Sequence, residues 1–288
     1  MKIMSPALLG LSLAVIGSSF AAAQQMHTPP KVLQIEREVI KPGKAGAIHD
    51  KSESRFVAAM AAAKWPTHYI ALNSMSGKSR ALFLVGYESF AAMEADNKAT
   101  EKNAALSAAL DKASEADGDL LNEFDQLVFT LDPDLSYRPE TDIAHTHYME
   151  VSSFHIKPGH MKEFHELTAL VIDANKKART SAHWAAYVIA YGGDDEVVAL
   201  SGDKTLAEID TGYAEDKSFR DALGADGLAK LRELEAAAIQ ESDSELFSVN
   251  PRQSYVPEDW VKADPDFWKP KPMAAPAAKP APTAKTAQ

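Results

Sequence analysis

The sequence predicts an α+β protein built from two tandem βαββαβ units, and three observations carry that expectation. The stretches VIKPGKAGAIHD (39–50) and HIKPGHMKEFHE (155–166) match at Ile40/Ile156, Lys41/Lys157, Pro42/Pro158, Gly43/Gly159 and His49/His165. LVFTLDPDLSYRPE (127–140) matches ELFSVNPRQSYVPE (245–258), and Trp65 corresponds to Trp184. The offset is 116 residues at the first landmark and 118 at the last, which is a duplicated domain and not a solenoid repeat.

The elements follow in order. In residues 1–23 Lys2 is the only charge, and the apolar run LLGLSLAVIG precedes Ala21–Ala23. This reads as a secretory signal peptide, too short in its apolar part to span a bilayer, and it implies a periplasmic or secreted protein. Residues 24–30 are a linker, and 31–140 are the first repeat. Its first strand, VLQIEREVI (32–40), is stopped by Lys-Pro-Gly, because proline lacks an N–H and glycine permits the turn. A helix follows, with Ala45, Ile48, Phe56 and Met60 as its apolar positions. After Trp65 come the strands HYIALNS (68–74) and RALFLVGY (80–87), joined by MSGK. A helical region, Ser89–Phe124, is expected to break near Gly118 before the closing strand LVFTL.

The second repeat, 141–258, has the same order. HYMEVSSFHI (147–156) is its first strand, and Met161, Phe164, Thr168, Val171 and Ile172 recur at helical steps of three and four. AYVIAY (186–191) and EVVALSG (196–202) are strands joined by Gly-Gly-Asp-Asp, which is hairpin chemistry. Lys204–Ser242 is helical, with a break at Gly224–Gly227, and LFSV closes the unit. Residues 259–288 form a Pro/Ala/Lys-rich tail expected to be disordered.

The order is the ferredoxin-like split βαβ unit, whose helices cover one sheet face only. The other face needs a partner, and the second copy offers one. The tandem copies and the early Lys-Pro-Gly turn resemble the dimeric α+β barrel superfamily, nearest to its NIPSNAP-like and antibiotic-biosynthesis-monooxygenase-like members, over about residues 31–258. The resemblance implies two units packed sheet to sheet into a closed barrel. One chain is then expected to form that barrel as a monomeric pseudo-dimer, with a higher oligomer left open, and to bind a small, partly apolar molecule between helices and sheet.

Composition narrows the partners. The 288 residues carry 41 acids against 30 bases, a net charge of −11, and phosphate recognition needs a basic face, so nucleic acid is not a partner. Cysteine is absent, which removes disulfides and thiolate ligands. No segment after the leader reads as a membrane span. P-loop, GxGxxG, GxSxG and HExxH signatures are absent.

His49 and His165 are the catalytic candidates, because an imidazole at a helix–sheet cavity can act as a general base near neutrality. The competing reading is a hydrogen-bonded histidine repeated by duplication. The second copy has the longer apolar stripe and the denser histidine content, so the functional cavity is expected there, with the first copy partly degenerate. The resemblance also extends to haem proteins of the chlorite dismutase and dye-decolorising peroxidase type, for which His165 would be the better iron ligand. The chain has no haem signature, and no cofactor is predicted. No metal site is predicted either. His145 and His147, about 6.6 Å apart on a strand, are weak candidates that lack a third ligand. Trp65, Trp184, His68 and Tyr187, at the second strands, are candidate ligand contacts, with core packing as the competing reading for the two tryptophans. Tyr137 and Tyr255, in the SYxP extensions, are expected to latch each copy to the other, with ligand contact through the hydroxyl as the alternative. Three functions stay open: binding of a small molecule, a cofactor-independent or haem-dependent monooxygenase-like enzyme in the same cavity, and a non-catalytic envelope interaction module.

Overall fold

The structure, a computed structural model, describes residues 26–269. The leader and residues 270–288 of the tail lie outside the described residues.

The first half contains β1 (Val32–Ile40), α1 (Ala47–Ala63), β2 (Tyr69–Ser74), β3 (Arg80–Tyr87), α2 (Phe90–Lys102), α3 (Ala104–Gly118) and β4 (Leu121–Leu131). The second contains β5 (Tyr148–Ile156), α4 (Met161–Ala178), β6 (Ala185–Tyr191), β7 (Glu196–Asp203), α5 (Leu206–Ala238) and β8 (Ile239–Val249). Two short helices follow, α6 (Glu258–Ala263) and α7 (Pro265–Trp268).

The eight strands form a closed barrel in the order β1-β3-β2-β8-β5-β7-β6-β4. Successive side chains of a strand point to opposite faces. On β1, Leu33 and Ile35 therefore enter the barrel, while Gln34, Glu36 and Glu38 face outward. The barrel interior is packed with apolar residues from both halves, among them Leu72, Phe129, Met149, Tyr187 and Phe247. Outside the barrel, Phe164 and Leu167 of α4 and Leu234 of α5 pack against Ile156, Ala186 and Val197 of the second half-sheet. The extensions cross over as well: Tyr137 bridges Trp184, and Tyr255 bridges Tyr69.

Four expectations need correction. The first concerns β4 and β8, which begin at Leu121 and Ile239, well inside the stretches read as helix. Residues 122–126 and 240–244 are exposed, so no apolar alternation marks them. Their backbones nevertheless pair with β1 and β5 as far as Ile40↔Leu121 and Ile156↔Ile239. The second concerns the breaks: the first helical region breaks at Asn103, not Gly118, whereas the second breaks at Gly224, with φ +65°.

The third concerns α1, whose buried face is not the apolar one. Ile48 is 49% exposed, and His49, Ser52 and Glu53 are buried. The sheet opposite presents Glu38, also buried, so polar residues meet polar residues. The fourth concerns the tail. Residues 259–269 are not disordered: Trp268 is buried at the barrel core and donates its indole N–H to the Ala144 carbonyl at 2.7 Å.

Candidate functional site

The space between helices and sheet is filled differently in the two halves. In the second half it is a cavity of about 1100 Å³. Phe154, Phe164, Leu167, Trp184 and Val197 supply an apolar wall. Asp203 and His183 are among its polar lining. His183 is committed to structure, with Nδ1 3.2 Å from the Ser181 carbonyl and Nε2 3.0 Å from that of Gly202. Asp203 is buried, and its Oδ2 has no donor. Desolvation, aided by Glu150 and Glu208 and opposed by His183, pushes its pKa up to about 6. A carboxyl in this state can accept a ligand's hydrogen bond or take its proton.

In the first half the corresponding space holds a buried polar cluster. His49 Nε2 lies 2.9 Å from Glu38 Oε2 and 3.7 Å from both Glu53 Oε1 and Asp117 Oδ1. Gln253 enters from the second half's extension, and its amide nitrogen lies 3.1 Å from His49 Nδ1 and 3.0 Å from Asp50 Oδ1. Burial, with the Glu38 and Asp117 charges adding to it, pushes Glu53 up to about 10. Two unit charges 4 Å apart at an effective dielectric of about 20 interact by about 4 kcal/mol, so three ionised carboxylates here are unfavourable without a proton or a cation.

His49 and His165 are not equivalent in space. Helices α1 and α4 end on left-handed caps at Lys64 and Arg179, which are 115 residues apart, whereas the histidines are 116 apart. Counting back from the caps, His49 corresponds to Phe164. One residue is about 100° around a helix, and that turn takes His165 out of the helix–sheet layer. His165 is 37% exposed, with Nε2 3.6 Å from Asp132 Oδ2, and it does not line the cavity. Where Glu38 and His49 pair in the first half, Phe154 and Phe164 pack with ring centroids 5.4 Å apart in the second. Where Gln253 enters, the matching extension inserts Leu135, which is buried in the second half's apolar cluster.

The remaining candidates are dispersed. Trp184 lines the large cavity and donates its indole N–H to the Leu135 carbonyl. His68 and Tyr187 line a smaller cavity of about 510 Å³ at one barrel mouth. Trp65 is buried and bonded to Asp96, and Tyr137 is buried against Trp184. Tyr255 stacks on His68 and donates to the Trp65 carbonyl at 2.8 Å. His145 and His147 do not share a site. The first closes a 3₁₀ turn against Asp142, and the second pairs with Asp264 at 2.7 Å.

The large cavity offers a haem iron no free histidine. His165 is outside it, and His183, the histidine that lines it, has both ring nitrogens against carbonyls. Asp203, Glu38, Glu53, Asp117 and Gln253 were not singled out from the sequence. Their signal lay in matched repeat positions that change polarity together, Glu38 with Phe154 and Gln253 with Leu135.

No family model matches the chain, and no curated protein does. Solved structures do match. A proposed monooxygenase from Fusobacterium nucleatum subsp. nucleatum ATCC 25586 is 12% identical over 77% of this chain and 94% of that one, at a TM-score of 0.51. An anthrone oxidase-like protein is 12% identical over 79% and 95%, at a TM-score of 0.52. A proposed chlorite dismutase, 13% identical over 78% and 96%, stands at 0.46, too distant to support an argument. The likeness to the first two shows the fold, a mixed α+β architecture with a closed eight-stranded barrel.

Proposed function

We propose that the chain binds a small, partly apolar molecule between the second half-sheet and helices α4 and α5. The observation that carries this reading is the large cavity, with its aromatic and aliphatic wall and one buried carboxyl, Asp203, lacking a donor. That combination suits an aromatic ring bearing a hydroxyl. The same proposal takes the chain as an exported tandem duplication, each half standing in for one subunit of a dimeric α+β barrel. The composition of residues 1–23 supports export, and mass spectrometry of the native protein should then find a mature chain starting at or near Gln24.

2-Naphthol serves as the probe. Ala199 is a half-buried strand residue lining the cavity, so Ala199→Trp should fill the space and weaken 2-naphthol binding at least about tenfold. His165→Ala should leave binding unchanged. Equal binding by the wild type and Ala199→Trp would sink the reading.

A second reading is favoured by Asp203 itself. The likeness to proteins described as a monooxygenase and an anthrone oxidase-like protein supports it at the level of fold. Asp203 would remove a proton from an acidic C–H or O–H of the substrate, and the resulting anion would react with dioxygen. A base works only when ionised, so the rate should rise with pH through about 6. Oxygen uptake with anthrone measures this. An absence of uptake argues for binding alone, and a profile retained by Asp203→Asn would remove Asp203 as the base.

A further inference from the structure

We propose that the first half holds one divalent cation of the manganese, iron or zinc kind, bound by Glu38 of β1, His49 and Glu53 of α1, and Asp117 of α3. One ligand atom from each residue lies within 4.8 Å of every other. Tetrahedral donors about 2.0–2.2 Å from one ion stand roughly 3.3–3.6 Å apart, so the widest pairs must close by up to about 1.5 Å.

The cluster is more than a group of acids. Glu53 Oε1 and Asp117 Oδ1 are buried and have no donor, and both point at His49 Nε2 from 3.7 Å. Their side chains are each 4% exposed. Three other buried carboxylates are met by bases, Glu196 by Arg37, Glu245 by Arg80 and Asp142 by Lys204, whereas Asp203 stands alone beside the large cavity. Among the described ion pairs, Glu38, Glu53 and Asp117 have no such lysine or arginine. A cation would supply the missing charge. One imidazole with three carboxylates and no thiolate suits manganese, iron or zinc better than a soft ion.

Gln253 fits the role of a supporting residue. Its amide donates to His49 Nδ1, which leaves the ring proton on Nε2, facing Glu38. A cation displaces that proton and requires it on Nδ1. Rotating the amide then offers Nδ1–H the buried Gln253 Oε1, which has no partner, and gives up the amide's donation to Asp50 Oδ1, which keeps the Asn250 amide as donor. All four ligands are buried, as in a closed structural site that ties β1 to α1 and α3. Phe154, Phe164 and Leu135 take the corresponding places in the second half, so the stoichiometry is one per chain.

The test uses the full chain stripped with EDTA, then titrated with MnCl₂ and ZnCl₂ by calorimetry. Metal content is measured after gel filtration, and thermal melts are recorded with and without metal. The wild type and His165→Ala should bind one equivalent and melt higher when loaded. Glu53→Gln and Asp117→Asn should stay folded by circular dichroism and lose affinity at least about 100-fold, more than a lost supporting residue costs. A wild type that retains no ion, or whose loaded and stripped melts coincide, would show that a shared proton neutralises the cluster and would overturn the proposal. Equal binding by wild type and both variants would overturn it too. The 2-naphthol experiment reads the other half of the molecule, so the two readings fail separately.

Discussion

At His49 the imidazole is fully buried and spans Glu38 and Gln253. Truncating it strands two polar partners and opens a cavity beside three carboxylates. His49→Ala should therefore cost on the order of 2–4 kcal/mol. His165→Ala removes a partly exposed side chain whose nearest acid is 3.6 Å away, and should cost less than about 1 kcal/mol. Urea denaturation of both variants measures the difference, and equal losses would contradict the 100° offset between the two helices. The residue scale is where the sequence was least legible. The repeated histidine suggested equivalence because the Lys-Pro-Gly turns and the histidines share one offset. The helix caps do not share it, and identity along the chain cannot reveal a rotation about the helix axis. Glu38, Glu53 and Asp117 were missed because isolated acids on strands and helices ordinarily face water, and only their convergence in space makes them a site.

Among the elements, the segment after β8 was the most misread. Its composition is rich in Pro, Ala and Lys, but Trp260, Phe267 and Trp268 lie before the low-complexity part begins. These aromatic residues pack at the barrel core, and Asp264, which caps α7, also pairs with His147. Trp268 contributes both packing and an indole hydrogen bond. Trp268→Ala should thus lose about 3 kcal/mol and lower Tm by roughly 6–12 °C, read by differential scanning calorimetry. A shift within about 1 °C would mean that α6 and α7 only rest on the barrel. The helix–strand order itself was legible, because Lys-Pro-Gly, Gly-Gly-Asp-Asp and the α4 stripe act locally. The early parts of β4 and β8 were not. Their place is set by pairing with β1 and β5, and exposed polar side chains carry no period that distinguishes strand from helix.

Across the whole molecule, each half builds a four-stranded sheet, and two seams join them. The seams are short: Leu72–Ser74 meets Phe247–Val249, and Val128–Leu131 meets Tyr187–Tyr191. Charge complementarity adds to them. Arg80 and Glu196 open β3 and β7 at matching positions, and each pairs with the opposite half, Arg80 with Glu245 and Arg37 with Glu196. Leu127 and Ser153 take the places of Glu245 and Arg37 in the opposite copy, so two copies of one half would lose both pairs. The need for a second sheet was legible in the sequence, since one helical cover per unit leaves a face bare. The choice of seam was not, because it depends on which strands reach the edges. Cutting the chain after Glu140 exposes Leu33, Ile35, Leu82, Leu84 and Phe129 on one piece, and Met149, Val151, Val198 and Phe247 on the other. Each piece alone should self-associate or unfold. Mixing the two should give a 1:1 complex, and the reciprocal arginine–glutamate pairs should favour it over either self-pair. Light scattering coupled to gel filtration distinguishes the species. Two pieces that each remain folded and monomeric, and ignore one another when mixed, would mean that the halves do not depend on the barrel they share.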